Sequence, residues 1–157
     1  MKKTAICLFC LLLFSVSLFA DMSKTELQKM YMMFLRSEGI DSKVDSDGDI
    51  EFEYEGEHFN AMTFYIMVHA DDQQFFQIMK FYGYSLENTK EKRQGPIAAS
   101  VATRESYIAK IYINNAGDNI LVSAETYLAS PEDFKTVFFK MLSGMEQAMK
   151  IFLENME

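Results

Sequence analysis

Three aspartates at alternate positions, Asp45, Asp47 and Asp49 around Gly48, are the residues whose type and spacing come nearest to a metal site. Alternate carboxylates on a tight loop can converge on one hard cation, as they do in calcium loops. The register does not fit. With Asp45 as first ligand, Ile50 stands where the loop needs its glycine and Gly56 where it needs a bidentate acid. The segment reads instead as a solvated hairpin turn. His58 and His69 are the two histidines, at opposite ends of one expected strand. Eleven residues of strand at about 3.3 Å each set them about 36 Å apart, too far to share a metal within one subunit. Both cysteines, Cys7 and Cys10, lie near the N-terminus, and no G-x-S-x-G is present, so neither a zinc site nor a hydrolase triad is expected. Glu51, Glu53 and Glu55 alternate along one segment, and paired carboxylates divide acid and nucleophile work in glycosidases. On the wet face of an amphipathic strand such residues are usually structural, and the chain has no tryptophan to stack a sugar. Its glycines are dispersed singly, which leaves no phosphate cradle for a nucleotide cofactor. No catalytic, cofactor-binding or metal-ligating residue is therefore expected. Glu51 and Glu53 are the best candidates for the competing reading, an envelope hydrolase acting on sugars or peptides.

The N-terminus says where the chain goes. Lys2 and Lys3 lead into an apolar run from Ala5 through Leu13 and a small-residue ending near Ala20, the pattern of a secretory signal peptide. The run is short for a membrane span, which needs about twenty apolar residues. Phe9 before Cys10 and Ile6 before Cys7 argue against lipid anchoring, which needs a small residue there. Cleavage after Ala20 is expected, with Ser17 as the alternative. That leaves residues 21–157 as a single domain, exported to the periplasm or beyond and not inserted in the membrane. Loss of Lys2 and Lys3 leaves 13 basic against 23 acidic residues, a formal charge of −10. Such a surface repels phosphate backbones, so nucleic acid is not an expected partner.

The elements follow from periodicity. Leu27, Met30, Tyr31, Phe34 and Leu35 form one stripe of a helix from Ser23 to Glu38, with a Ser23/Glu26 capping box and Gly39 as its left-handed stop. Ile50, Phe52 and Tyr54 alternate with glutamates in a half-buried strand, flanked by turns at Asp47-Gly48 and Glu55-Gly56. Phe59 to Val68 is apolar on both faces, which predicts a central strand or one covered on both sides. Phe75 to Tyr82 reads as a fourth strand, with a helix as the alternative. Gly83 and the polar run Glu87 to Gln94 are expected to end the sheet there. Pro96 suits the first turn of a middle helix whose apolar side is Ile97, Ala98, Val101 and Ala102. Tyr107–Ile113 and Ile120–Leu128 form a hairpin around Asn114, Asn115, Gly117 and Asp118. Ser130-Pro131-Glu132-Asp133 opens a last helix whose stripe runs from Phe134 to Phe152. The sum is an α+β fold: an antiparallel sheet of five to six strands packed against N-terminal, middle and C-terminal helices, in the order α-βββ(β)-α-ββ-α.

Four segments carry a resemblance: Phe34-Leu35-Arg36-Ser37-Glu38-Gly39, Val44 through Phe52, Ala109-Lys110-Ile111-Tyr112, and Ser130-Pro131-Glu132-Asp133-Phe134 before a long helix. In these the chain resembles the YbjN-like family of small exported bacterial proteins, whose fold is similar to that of type III secretion chaperones. The resemblance covers most of residues 21–157 in element order. It implies a non-catalytic protein of regulatory or unknown function, often paired as a dimer, and carries no catalytic residue over. The Gly95-Pro96 break departs from the unbroken middle helix expected of the family.

An apolar surplus remains. Eleven methionines follow residue 20, and Met32, Met33, Phe139 and Ile151 fall off the main helical stripes. Methionine-rich surfaces adapt to varied partners. The alternatives are that both helices are buried on two sides, or that these are scattered exposures. The expectation is an exported interaction module, a homodimer that uses Met32, Met33, Phe139 and Ile151 against itself or another polypeptide. A periplasmic inhibitor or sensor is a third possibility.

Overall fold

The structure is a computed structural model that describes residues 22–57 and 62–157; the signal-peptide segment, His58 and Phe59 lie outside the described residues. Helix α1 spans Lys24–Ser37 and starts on the expected capping box: the Glu26 N–H donates to Ser23 Oγ while the Ser23 N–H donates to Glu26 Oε2. It stops at Gly39, where φ is +76°. Strands β1 (Ser42–Val44) and β2 (Ile50–Tyr54) flank a turn that Asp45 organises, its Oδ1 accepting from the N–H groups of Asp47, Gly48 and Asp49 at 2.9 Å each. Then come β3 (Met62–Met67), β4 (Phe75–Ser85), helix α2 (Thr89–Glu105), β5 (Ala109–Ile113), β6 (Asn119–Tyr127), a 3-10 turn at Pro131–Asp133 and helix α3 (Phe134–Glu154). All strand pairs are antiparallel, in the spatial order β1-β2-β3-β4-β6-β5.

The register shows why one side of this sheet is dry. Val44, Ile50, Ile66, Ile78, Ala124 and Ala109 pair in one row across all six strands. All but Val44, at the edge, are buried beneath the helices. α1 lies over β1 and β2, α3 over β4, β6 and β5, and α2 beside α3 and β5. The expected α3 stripe is the inner face of that helix, with Phe134, Phe138, Met141, Leu142, Met145, Ala148, Met149 and Phe152 buried. Phe134 sits edge-on to Tyr31 at 4.8 Å and to Phe34 at 5.0 Å, which locks α1 to α3.

Three expectations need correction. The middle helix does not begin at Pro96: it begins at Thr89, capped by Asn88, whose Oδ1 accepts from the Glu91 N–H while Glu91 reaches back to the Asn88 N–H. An N-x-x-E box inside a polar run nucleates a helix as well as S-x-x-E does. Pro96 is accommodated within the helix because it lies on the exposed side, where water can serve the carbonyl it strands. Second, the buried stripe of α2 is Gly95, Ala98, Ala99 and Ala102, and Ile97 points outward. A Cβ on Gly95 would come within 2.9 Å of Leu86 Cδ1 and Cδ2, so glycine permits that contact. Third, Gly83 does not end β4. The Phe75–Tyr82 segment is a strand and continues to Ser85 through a bulge, at which β4 advances from Lys80 to Tyr84 while β6 moves only from Val122 to Ile120. Tyr82, with φ +53°, makes the turn in the bulge.

Candidate functional site

Two surfaces stand out, one on the helix side and one on the bare side of the sheet. On α1, Met33 is 62% exposed and forms a ridge between two grooves. The first, about 610 Å³, runs between α1 and β1 and is lined by Lys29, Met32, Met33, Arg36, Ile40 and Val44, among others, with Asp41 at its rim. The second, about 470 Å³, runs toward the start of α3 and is lined by Glu26, Lys29, Met30, Met33, Phe34 and Lys135, with Ser37 beside them. Phe139 is 45% exposed and meets Phe34 at 6.2 Å and Phe138 at 5.1 Å, so it continues the apolar surface past the second groove. Of the four residues singled out from sequence, Met33 and Phe139 stand on the surface, while Met32 and Ile151 are half-buried against the core. The two grooves are lined by three cations, Lys29, Arg36 and Lys135, against two acids, Glu26 and Asp41, a small positive excess on a chain of net charge −8.

On the other side of the sheet a second row crosses all six strands: Lys43, Glu51, Tyr65, Met79, Ser123 and Lys110. No helix covers it. Met79 is nevertheless only 9% exposed and Ser123 fully buried. Tyr65 meets Phe81 at 5.2 Å, and Phe75 lies between Tyr127 at 5.2 Å and the His69 ring at 4.9 Å. The polar groups are mutually engaged. Gln77 Nε2 donates to Ser123 Oγ and to Glu125 Oε1 at 3.1 Å each, Ser123 Oγ donates to Glu125 Oε1 at 3.0 Å, and Lys110 Nζ lies 2.5 Å from Glu125 Oε2. His69 Nε2 is 3.1 Å from Gln77 Oε1. Burial pushes the Glu125 carboxyl upward, but the bonds from Lys110, Ser123 and Gln77 outweigh it and hold the group below its ordinary value. The Lys110 amine is correspondingly raised by its bond to Glu125.

The other sequence candidates are placed as follows. His69, just past the end of β3, is half-buried in this network. Asp45 spends its carboxylate on three backbone N–H groups, and Asp49 Oδ1 accepts from the Val68 N–H at 2.8 Å, so the aspartates build the turn. Among the described residues no three His, Asp or Glu side chains converge on a point that could hold a metal. Glu51 is paired with Lys43 at 2.9 Å. Glu53 is two residues along the same strand face, and both border a shallow groove of about 220 Å³.

No family model matches the chain, and no curated protein matches it. Among solved structures it is similar in fold to YbjN from E. coli, at a TM-score of 0.57 and 8% identity over 80% of this chain and 88% of that one. It is also similar to an uncharacterised protein from Methanothermobacter thermautotrophicus, at 0.52 and 12% over 83% of this chain and 99% of that one. The chain has a YbjN-like α+β fold, as its sequence segments implied.

Proposed function

We propose that the chain is an exported, non-catalytic protein-interaction module that works as a homodimer and takes a polypeptide partner on the α1 ridge. The observation that carries this reading is Met33, exposed between two grooves in whose lining Lys29, Arg36 and Lys135 outnumber Glu26 and Asp41 on an otherwise acidic chain. A flexible thioether adapts to the partner's shape, and the flanking cations steer acidic side chains onto it. The fitting partner is a segment that alternates apolar and acidic residues. Export and a single domain over residues 21–157 are read from the N-terminal pattern. The E. coli neighbour is described as a candidate transcription regulator, but direct DNA binding does not suit a surface of this charge. Holding a partner's apolar segment is a chaperone-like or regulatory act that needs no reactive side chain. In support of the non-catalytic reading, Glu51 is committed to Lys43.

The test is a photocrosslinking residue at position 33, and separately at 139, in the living cell, followed by fractionation and mass spectrometry. Expected are a protein that begins at Asp21 in the envelope or medium, and adducts to another polypeptide that weaken when Lys29→Glu and Arg36→Glu are added. An intact Met1 in the cytoplasm overturns export. No adduct at either position, or turnover of a compound by the purified protein, overturns the module.

A further inference from the structure

A homodimer needs a face that loses little on leaving water, and the bare side of the sheet is built as one. Resting on the homodimer reading above, we propose that two copies associate face to face through this side, about a twofold axis, which leaves both α1 ridges free for partners.

The edges of the sheet exclude the simpler route of strand-to-strand pairing. At β5, Thr103 of α2 takes both backbone groups of Ile111: its Oγ1 accepts from the N–H at 2.8 Å and donates to the C=O at 3.0 Å. Ser106 Oγ donates to the Ala109 C=O in the same way. With three of its outward groups already bonded, the middle of this edge is poorly placed to template another chain. At the opposite edge β1 is only three residues long and carries Lys43, the short, charged kind of edge that resists pairing.

The face itself has the composition of an interface. Tyr65, Phe75, Met79, Phe81, Tyr112 and Tyr127 lie across it, and Tyr127 is 71% exposed. Aromatic and methionine side chains are those that interface cores favour. Met79 is buried yet belongs to no part of the main core, since it sits on the far side of the sheet from the helices. The polar groups are largely prepared for desolvation: Gln77, Ser123 and Glu125 bond one another within the face, and Lys110, whose ammonium gives one of its three N–H groups to Glu125, stands at the β5 rim where water or the partner can take the others.

Charge selects the same surface. A chain of net charge −8 repels its own copy at most approaches. On this face Lys43 is matched with Glu51 and Lys110 with Glu125, which leaves Glu53 and, just past the end of β2, Glu55 as acids outside these two pairs. Two copies can therefore meet here with little repulsion. Size is adequate as well. Six strands about 4.8 Å apart and some six to seven residues long make a projected area of about 600 Å², and standing side chains raise the accessible area toward the roughly 800 Å² per partner of a standard interface. Stacked at about 10 Å, the two sheets would make a closed sandwich.

Light scattering and sedimentation equilibrium of the protein, purified as its producing cell processes it, test this. The wild type is expected at twice the chain mass at tens of micromolar. Tyr65→Asp and Tyr127→Asp, each confirmed folded by circular dichroism, are expected to raise the dissociation constant at least tenfold, whereas Met33→Asp and Phe139→Asp leave it unchanged. Hydroxyl-radical footprinting of the wild type across a dilution series should show Tyr127 and Tyr112, exposed in the single chain, becoming labelled as the dimer dissociates, and it decides the matter if Tyr65→Asp does not fold. A monomer at 100 μM refutes the homodimer and this inference with it. A dimer that survives the sheet variants, fails with Met33→Asp, or leaves Tyr127 equally labelled at all concentrations refutes this face alone and keeps the homodimer.

Discussion

Replacing Thr103 by valine should expose what this fold does to guard its sheet. Valine keeps the shape and the β-branch of threonine, so the packing of α2 on β5 is preserved and only the hydroxyl is lost. That hydroxyl closes two hydrogen bonds to one residue, 2.8 Å from the Ile111 N–H and 3.0 Å to its C=O. Each such bond contributes about 0.5–1.5 kcal/mol net, and an unsatisfied buried partner costs about 1–3 kcal/mol. Thr103 is half-buried, so water reaches part of the site and the lower half of these ranges applies. The expected loss is about 1–2 kcal/mol, or about 3–6 °C in melting temperature for a domain of this length. The Ile111 amide should lose hydrogen-exchange protection out of proportion to its neighbours, because it is the donor left without an acceptor. A second effect is specific to the edge. With the Ile111 groups free, the segment Ala109-Lys110-Ile111-Tyr112-Ile113 becomes a template for another strand, and light scattering at elevated concentration should show species larger than any dimer. Thr103→Ser retains the hydroxyl and separates the two causes. Should Thr103→Ser destabilise the fold while Thr103→Val leaves the denaturation midpoint unchanged, the methyl group is what matters and the edge-capping argument is wrong.

Two further outcomes follow from the bulge in β4. Lys80 is 7% exposed, its Nζ donates to the Phe81 carbonyl at 2.7 Å, and burial lowers its pKa from the ordinary 10.5. Below the lowered folded-state pKa both states carry the proton and the full cost of burying the charge is present. As pH rises toward 10.5 the folded protein releases its proton first and that cost fades. Lys80→Met should therefore raise stability at pH 7 by about 1 kcal/mol, and urea titrations should show the gain shrinking toward pH 10; a loss of stability at pH 7 would mean that the Phe81 contact outweighs desolvation. Tyr82 holds φ +53° with its side chain 72% exposed, a left-handed conformation that costs a non-glycine residue about 1–2 kcal/mol. Tyr82→Gly removes that strain but loosens the unfolded chain, so a net gain of up to about 1 kcal/mol is expected by thermal melting, and Tyr82→Val should lose stability because a β-branched residue tolerates positive φ worst.

What could be read from the sequence divides along the range of the interactions. The capping box at Ser23 and Glu26, the left-handed stop at Gly39, the Asp47-Gly48 turn and the inner stripe of α3 are each decided within about one helical turn or one hairpin, and all four stand where the residues placed them. The start of α2 was equally local, but it was hidden by weight: Pro96 is the louder signal and Asn88 with Glu91 the correct one, since a capping box supplies hydrogen bonds whereas proline at the first turn merely avoids losing one. The bare sheet face was out of reach for a different reason. Gln77, Ser123, Glu125 and Lys110 acquire meaning only through the pairing of β4 with β6 and β6 with β5, and a slip of one residue would send every one of them into the core. A trace of it was nonetheless present. The segment through Tyr65 and Met67 is apolar on both faces, which requires cover on both sides or a central place in the sheet, and β3 has the central place while its outer side chains lie half-buried under no helix of the described residues. A strand that satisfies only half of that alternative within its own chain keeps apolar surface that a second layer would hide, and the short β1 edge and the sealed β5 edge direct that layer onto the face.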